Sequence, residues 1–301
     1  MRSERFGIWL GFILISTVWG TTWFAIRIGM DSVPPFLSAG LRCLVAAAVL
    51  FVLLRIRGGG IPVSPVAWRV YLALGVLTIG IPFALIYWGQ QFIPTGLSSI
   101  IFAVYPFQVA ILSHFMLKNE PLTLYKIVAI VLGFLGVVVI FVSDVTLLDF
   151  RGLLGMLSVL VSTFLQALAL VVIKKYGEPV SPVAMNFVGM AMGGVMLMLL
   201  SLLVESGSPV IWTLPGILAL AYLALVGSVL TFMIYFWLLK RIDAVYVSLS
   251  SFINPIVAVC IGSVALGERL SPAVYSGAAL VFLGMLTANG RALFEKVRGR
   301  D

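Results

Sequence analysis

The chain reads as a succession of long apolar runs separated by short polar or Gly/Pro-bearing breaks. Ten runs can be marked, over residues 6–28, 33–54, 68–90, 95–117, 123–142, 151–173, 181–204, 214–239, 245–266 and 272–292. Breaks such as Arg57-Gly58-Gly59-Gly60 and Glu178-Pro179-Val180-Ser181 punctuate them. A helix needs about 20 apolar residues to cross the hydrocarbon core of a bilayer. Strands of a membrane barrel would instead alternate apolar and polar positions over about 10 residues. These runs are continuously apolar, which predicts an all-α integral membrane protein of ten transmembrane helices. The first run lacks a small-residue cleavage site and is read as a retained helix.

The pattern repeats. Ile86-Tyr87-Trp88 is followed by Tyr105-Pro106, Glu120-Pro121-Leu122-Thr123 and Phe134-Leu135-Gly136. The second half answers with Ile234-Tyr235-Phe236, Asn254-Pro255, Glu268-Arg269-Leu270-Ser271 and Phe282-Leu283-Gly284, at an offset of 148 or 149 residues. Two five-helix units are therefore expected, residues 1–145 and 146–301. Five is odd, so the second unit enters the membrane from the opposite side and the repeats are inverted, an arrangement on which many alternating-access carriers are built.

Composition agrees with a membrane location and narrows the function. Hydrophobic residues make up 62% of the chain and charged residues 10%, against about 25% charged in soluble domains. The net charge of +8 is loop charge that sets topology rather than a nucleic-acid surface. With the N-terminus placed inside, fifteen Lys and Arg, from Arg2 and Arg5 to Arg298 and Arg300, fall in inside segments. Only Arg27, Arg151 and Arg269 fall outside. That asymmetry predicts a multi-pass protein of the inner (plasma) membrane with both termini in the cytoplasm. Cys43 and Cys260 each lie within an apolar run, so free thiols are expected. Enzyme signals are missing: there is no metal-ligand cluster, no phosphate loop, and a single histidine, His114, for base chemistry. No cofactor or metal is expected. The partners expected are a small-molecule substrate and membrane lipid, with the chain a monomer or homodimer.

In their order and duplication these motifs resemble the drug/metabolite transporter superfamily, in particular its ten-helix EamA-type members. The elements that carry the resemblance are Trp19-Gly20 with Thr22, Arg42 after Pro34-Pro35, Tyr105-Pro106, Asn254-Pro255, and Glu120 and Glu268. The resemblance covers nearly the whole chain. It implies export of small metabolites, with amino acids prominent among substrates, and a scaffold role for Arg42.

The residues themselves offer candidates for a site. Pro106 and Pro255 fall mid-run, where a proline removes a helix hydrogen bond and clashes with the carbonyl four residues back. Carbonyls freed at that depth persist only beside protein or a watery cavity, so both prolines are read as kinks beside a substrate site. Polar and aromatic side chains inside the spans need partners in the bundle interior. Trp19, Thr22, Trp23, Tyr87, Gln91, Tyr105, Gln108, Gln166, Tyr235, Ser251 and Asn254 are the candidate substrate-binding residues; for the Ser and Thr hydroxyls, interhelical hydrogen bonding is the competing role. Arg42 is the one charge well inside a span, at a cost of about 2.5–3.5 kcal/mol on insertion scales. Its partners would be freed carbonyls or a substrate carboxylate. Glu120 and Glu268 sit where a carboxylate favours a helix N-terminus and are read, with Arg42, as structural.

The reading that combines these points is a secondary transporter. It would export neutral or zwitterionic metabolites such as amino acids, by alternating access around a midplane cavity. Efflux of apolar drugs, or a membrane sensor that does not transport, are the alternatives.

Overall fold

The computed structural model describes residues 2–117, 123–144, 150–268 and 270–297. The ten runs emerge as ten helical spans: α1 (Arg2–Met30), α2 (Pro35–Ile56), α3 (Pro65–Gly89), α4 (Thr95–Met116), α5 (Leu124–Asp144), α6 (Phe150–Tyr176), α7 (Pro182–Val204), α8 (Leu214–Leu239), α9 (Ala244–Ala265) and α10 (Pro272–Val297). Eight contain a long membrane-spanning apolar stretch, and α5 and α10 contain shorter ones, Ile127–Gly136 and Pro272–Gly284. Large apolar side chains point outward, with Val264 89% and Leu203 80% exposed, as a lipid-facing surface requires. Ten traverses bring the start of α1 and the end of α10 to one face, here called the terminal face.

Local chemistry sets the helix ends. Ser64, Ser181 and Thr213 accept hydrogen bonds from Ala67, Ala184 and Gly216 amides at the starts of α3, α7 and α8, each with a proline in the first turn. A hydroxyl at that position satisfies an otherwise unpaired amide, and proline there sacrifices no interior bond.

Four spans depart from a straight α-helix, and the departures match between the halves. In α3, residues Gly75–Gly80 widen into a π-helical turn; in α8, Leu225–Leu230 do the same. Hydroxyls sit at equivalent places in the two turns. Thr78 Oγ1 donates to Ala73 O at 3.3 Å and Ser228 Oγ donates to Leu223 O at 2.9 Å, each reaching the carbonyl five residues back. Pro82, with no amide hydrogen to offer, follows the first turn.

The prolines of α4 and α9 act differently from the expected mid-helix break. In α4 the helix stops at Phe102 and resumes at Tyr105; in α9 a tight 3-10 turn, Leu249–Phe252, precedes a segment that starts at Ile253. Pro106 and Pro255 thus lie in the first turn of a new segment, where the amide they lack would have no helical acceptor. The irregular backbone lies just before each proline.

Helix pairing follows the repeat. α2 packs on α7 and α5 on α10, and α4 packs on α9. The repeated glycines of the Phe-Leu-Gly motif explain the second pair. A Cβ on Gly136 would lie 2.5 Å from Gly277 O, and one on Gly284 would lie 2.7 Å from Ala129 O. Only glycine lets these two backbones touch.

Candidate functional site

A cavity of about 90 Å3 lies where the two halves meet, walled by α1, α2, α3, α4, α6, α8 and α9. From the sequence candidates it draws Trp19, Thr22 and Trp23 of α1, Tyr87 of α3, Tyr105 of α4 and Gln166 of α6. Tyr235 of α8 and Ser251 and Asn254 of α9 complete that set. Arg42 of α2 also reaches it.

Nine of the lining residues are aromatic, and their rings fix one another. Trp19 meets Tyr235 at 4.9 Å between ring centres and Phe232 edge-on at 5.5 Å. Trp23 meets Phe102 edge-on at 5.5 Å, and Phe102 stacks on Tyr105 at 5.5 Å. At the centre the Tyr105 and Tyr235 hydroxyls hydrogen-bond each other at 2.8 Å. Such rings supply a large apolar contact area and a few polar tips, the composition of small-molecule pockets.

The hydroxyls and amides divide by role. Thr22 Oγ1 donates to Trp19 O at 2.7 Å and Ser251 Oγ donates to Ser248 O at 2.8 Å, so both satisfy their own helix. The Asn254 amide, oriented with its nitrogen toward α1, donates to Ser16 O at 2.9 Å and Ser250 O at 3.2 Å. It thereby ties the irregular turn of α9 to α1. The Gln166 amide nitrogen has no acceptor.

Arg42 is 3% exposed. Its Nε donates to Ser228 Oγ at 2.9 Å, Nη2 to Gly227 O at 3.3 Å, and Nη1 to Tyr87 OH at 3.5 Å. The guanidinium also lies 4.8 Å from the centre of the Phe83 ring. The π turn of α8 makes this possible, because it turns a backbone carbonyl and a serine toward α2. Trp19 Nε1 shares the same carbonyl, Gly227 O, at 3.4 Å. Arg42 therefore braces α8 and walls the cavity at once.

Two candidates lie elsewhere. Gln91 falls in the turn beyond the end of α3, exposed, with Nε2 donating to Trp88 O at 3.4 Å. Gln108 lies one turn past Tyr105, about 4.5 Å further along α4, and its side-chain oxygen is buried with no donor. Neither lines the cavity. Glu120 lies outside the described residues. The aromatic wall residues Phe83, Phe102 and Phe232, and the Gly227–Ser228 anchor, were not singled out by the sequence. Their signal was the repeated Ile-Tyr-aromatic motif, which placed Tyr87 and Tyr235 but not the rings a turn away.

Glu268 does cap a helix, but not the one that follows it. Its carboxylate accepts from Thr95 N at 2.9 Å, Thr95 Oγ1 at 2.8 Å and Gly96 N at 3.1 Å, at the start of α4 in the other half. Glu205, just past α7, does the same for α2, accepting from Phe36 N at 2.8 Å and Leu37 N at 2.9 Å. Ser32 and Thr213 join hydroxyls nearby, and Ile211 N donates to Ser32 O at 2.9 Å. All of these cross between halves on the face opposite the termini. On the terminal face Lys240 donates to Glu178 O at 2.8 Å and Val180 O at 3.0 Å. Burial lowers the Lys240 pKa below its usual value, with Glu178 opposing that shift and Arg241 adding to it.

A family model described as the EamA-like transporter family matches residues 5–142 and again residues 153–290. The chain belongs to the EamA-like transporter family. It is a multi-pass membrane transporter of that family, made of two inverted repeats. Among similar proteins is one named as an uncharacterized transporter, YoaV of Bacillus subtilis, 30% identical over 92% of this chain and 95% of its own length. Protein PecM of Dickeya dadantii is 30% identical over 93% of this chain and 91% of its own. A protein named as an uncharacterized inner membrane transporter, YedA of Escherichia coli, is 29% identical over 92% of this chain and 89% of its own. A solved crystal structure shares the fold, with a TM-score of 0.70 at 20% identity over 94% of this chain and 96% of that one. The duplicated match and the paired π turns of α3 and α8 describe the same EamA repeat.

Proposed function

We propose that this EamA-family transporter exports neutral or zwitterionic small metabolites such as amino acids, by alternating access around the cavity between its halves. The observation that carries the reading is the position of that cavity: at mid-span, at the interface of two inverted repeats. In this reading both termini are cytoplasmic, as the loop charges favour.

The small size of the cavity supports a cycle. About 90 Å3 holds a few waters and falls short of the roughly 300 Å3 at which ligand pockets begin, so loading requires the halves to part. The carboxylate caps of Glu205 and Glu268 tie the two halves together on the face opposite the termini. Toward the terminal face lies an open groove of about 770 Å3, bounded by Gly11 and Leu14 of α1, Val183 of α7 and Ile234 of α8. Leu14 and Trp19 are about 7.5 Å apart along the axis, and the fully buried Ile15 lies between. A modest shift of α1 and α8 would join groove and cavity.

The test is efflux of labelled neutral amino acids from proteoliposomes holding the purified protein. Saturable efflux is expected, and it should persist when the proton gradient is collapsed, because no Asp or Glu among the described residues lines the cavity. Efflux that stops with the gradient and is lost in Glu268→Gln would remove the passive mechanism. No efflux of any such compound would remove the export reading.

A further inference from the structure

Arg42 carries more charge than the protein around it balances. An arginine stays protonated in any protein site, and a lone charge at mid-span is costly. No Asp or Glu is among the cavity-lining residues. The partners that Arg42 does have are neutral: Ser228 Oγ, Gly227 O, Tyr87 OH and the face of Phe83. Two of these contacts are long, at 3.3 and 3.5 Å, and three acceptors cannot satisfy the five N–H groups of a guanidinium. The Gln166 amide nitrogen, on the opposite repeat but lining the same cavity, also has no acceptor. Among its described lining residues the cavity thus holds one net positive charge, with unused guanidinium N–H groups, beside a wall of aromatic rings.

From this surplus we infer that the cargo presents a carboxylate to Arg42, with its aromatic or bulky apolar body against the rings of α1, α4 and α8. The inference rests on the transport reading and shifts its substrate class from neutral or zwitterionic metabolites toward monocarboxylates, with amino acids second. Charge balance ranks the candidates. A monocarboxylate neutralises Arg42 and supplies acceptors for the unused N–H groups, ideally in the bidentate geometry that guanidinium favours. A dianion leaves one negative charge buried without a partner. A zwitterion brings a carboxylate but also an ammonium, for which the cavity has hydroxyls and ring faces and no carboxylate. An amide can accept from Arg42 through its carbonyl, as Gly227 O does, but brings no neutralising charge, and a protonated amine adds a second positive charge. Aromatic monocarboxylates should therefore bind best, aromatic amino acids next, and the corresponding amides and amines least.

The experiment compares matched probes on purified, monodisperse protein by calorimetry: 3-phenylpropanoate, its amide 3-phenylpropanamide, phenylalanine and 2-phenylethylamine. The acid and its amide have the same body, so their difference isolates the carboxylate. The wild-type protein should bind the acid at least about tenfold tighter than the amide, the scale of a hydrogen bond to a charged group. Arg42→Met should abolish that preference, and Arg42→Lys should keep part of it, since ammonium retains the charge without the planar fork. Should Arg42→Met fail to fold, the wild-type ratio and the Arg42→Lys ratio decide. Equal binding of acid and amide to the wild type, or an acid preference that survives Arg42→Met, overturns the inference and leaves the transport reading standing. Binding of none of the four probes at millimolar concentration overturns it as well. Efflux of unrelated cargo in proteoliposomes would then show that transport itself survives.

Discussion

The hydroxyls of Tyr105 and Tyr235, 130 residues apart in the chain, meet at 2.8 Å in the middle of the molecule. One comes from the first half and the other from the second, so this bond ties the two repeats together across the cavity. Replacing either tyrosine with phenylalanine leaves the partner hydroxyl buried without its bond. Each single change should cost about 0.5–1.5 kcal/mol of stability. The double change should cost less than the two singles added, because it removes both ends of one interaction. Thermal unfolding of the three variants in one detergent measures this. Strict additivity would mean that the two hydroxyls do not act as a pair.

Asn254 has a structural task as well as a place on the cavity wall. Its amide donates to Ser16 O and Ser250 O, which holds the 3-10 turn of α9 against α1. Asn254→Ala should therefore weaken the folded state by roughly 1–3 kcal/mol, the cost of buried carbonyls left without donors, and reduce ligand affinity about two- to tenfold. Asn254→Asp should be worse, since an ionised carboxylate cannot donate. Melting temperatures and binding titrations on monodisperse protein check both. A fully stable Asn254→Asp variant would contradict the assigned bonds.

Glu268 and Glu205 hold helix starts that belong to the other half. A carboxylate on free helix amides is worth about 1 kcal/mol, up to about 2 in partly buried geometries. Glu268→Ala and Glu205→Ala should each lower stability on that scale. Gln at either position should cost less, because an amide oxygen still accepts. Gly262 makes room for the Glu268 carboxylate, since a Cβ there would lie 2.5 Å from its oxygen. Gly262→Ala should therefore reproduce part of the Glu268→Ala loss. Thermal stability of the five variants is the measurement, and a Gly262→Ala protein as stable as wild type would count against the cap.

Topology can be read with reporter fusions. Fusions at Gly58 and at the C-terminus should report cytoplasm, and one at Gly207 should report the far side. Both glycines lie in turns between spans and adopt positive φ, 62° and 87°, so the fusion sites avoid helix interiors. A periplasmic signal at the C-terminus would reverse the orientation argued from loop charge.

Much of this molecule was legible in its residues. Ten apolar runs became ten helices with ends shifted by a few positions, because span length and burial of the backbone are properties of a local stretch. The duplication was legible because it is a fixed offset, and it located Tyr87 and Tyr235, Tyr105 and Asn254 on one cavity. What escaped were features set by rotation and depth. A π turn inserts one extra residue into a helix, and each residue is worth about 100° of rotation. After Gly80 and after Leu230, a face counted at 3.6 residues per turn is therefore the wrong face. The breaks before Pro106 and Pro255 shift the phase again, and Gln108, about 4.5 Å further along the same segment than Tyr105, lies past the cavity that Tyr105 reaches.

The sequence by itself determined the membrane-spanning architecture, its two-fold inverted plan and the mid-span position of the irregular helices, since each follows from spacing along one chain. Only the tertiary structure decided that Glu268 caps α4 rather than the helix after it. It also decided that Arg42 reaches Ser228 and Gly227, and that Arg42 sits beside nine aromatic residues on the cavity wall. The physical reason is the same in each case. A partner nearly 200 residues away is chosen by how two helices are turned and packed against each other, and no local window of the chain records that choice.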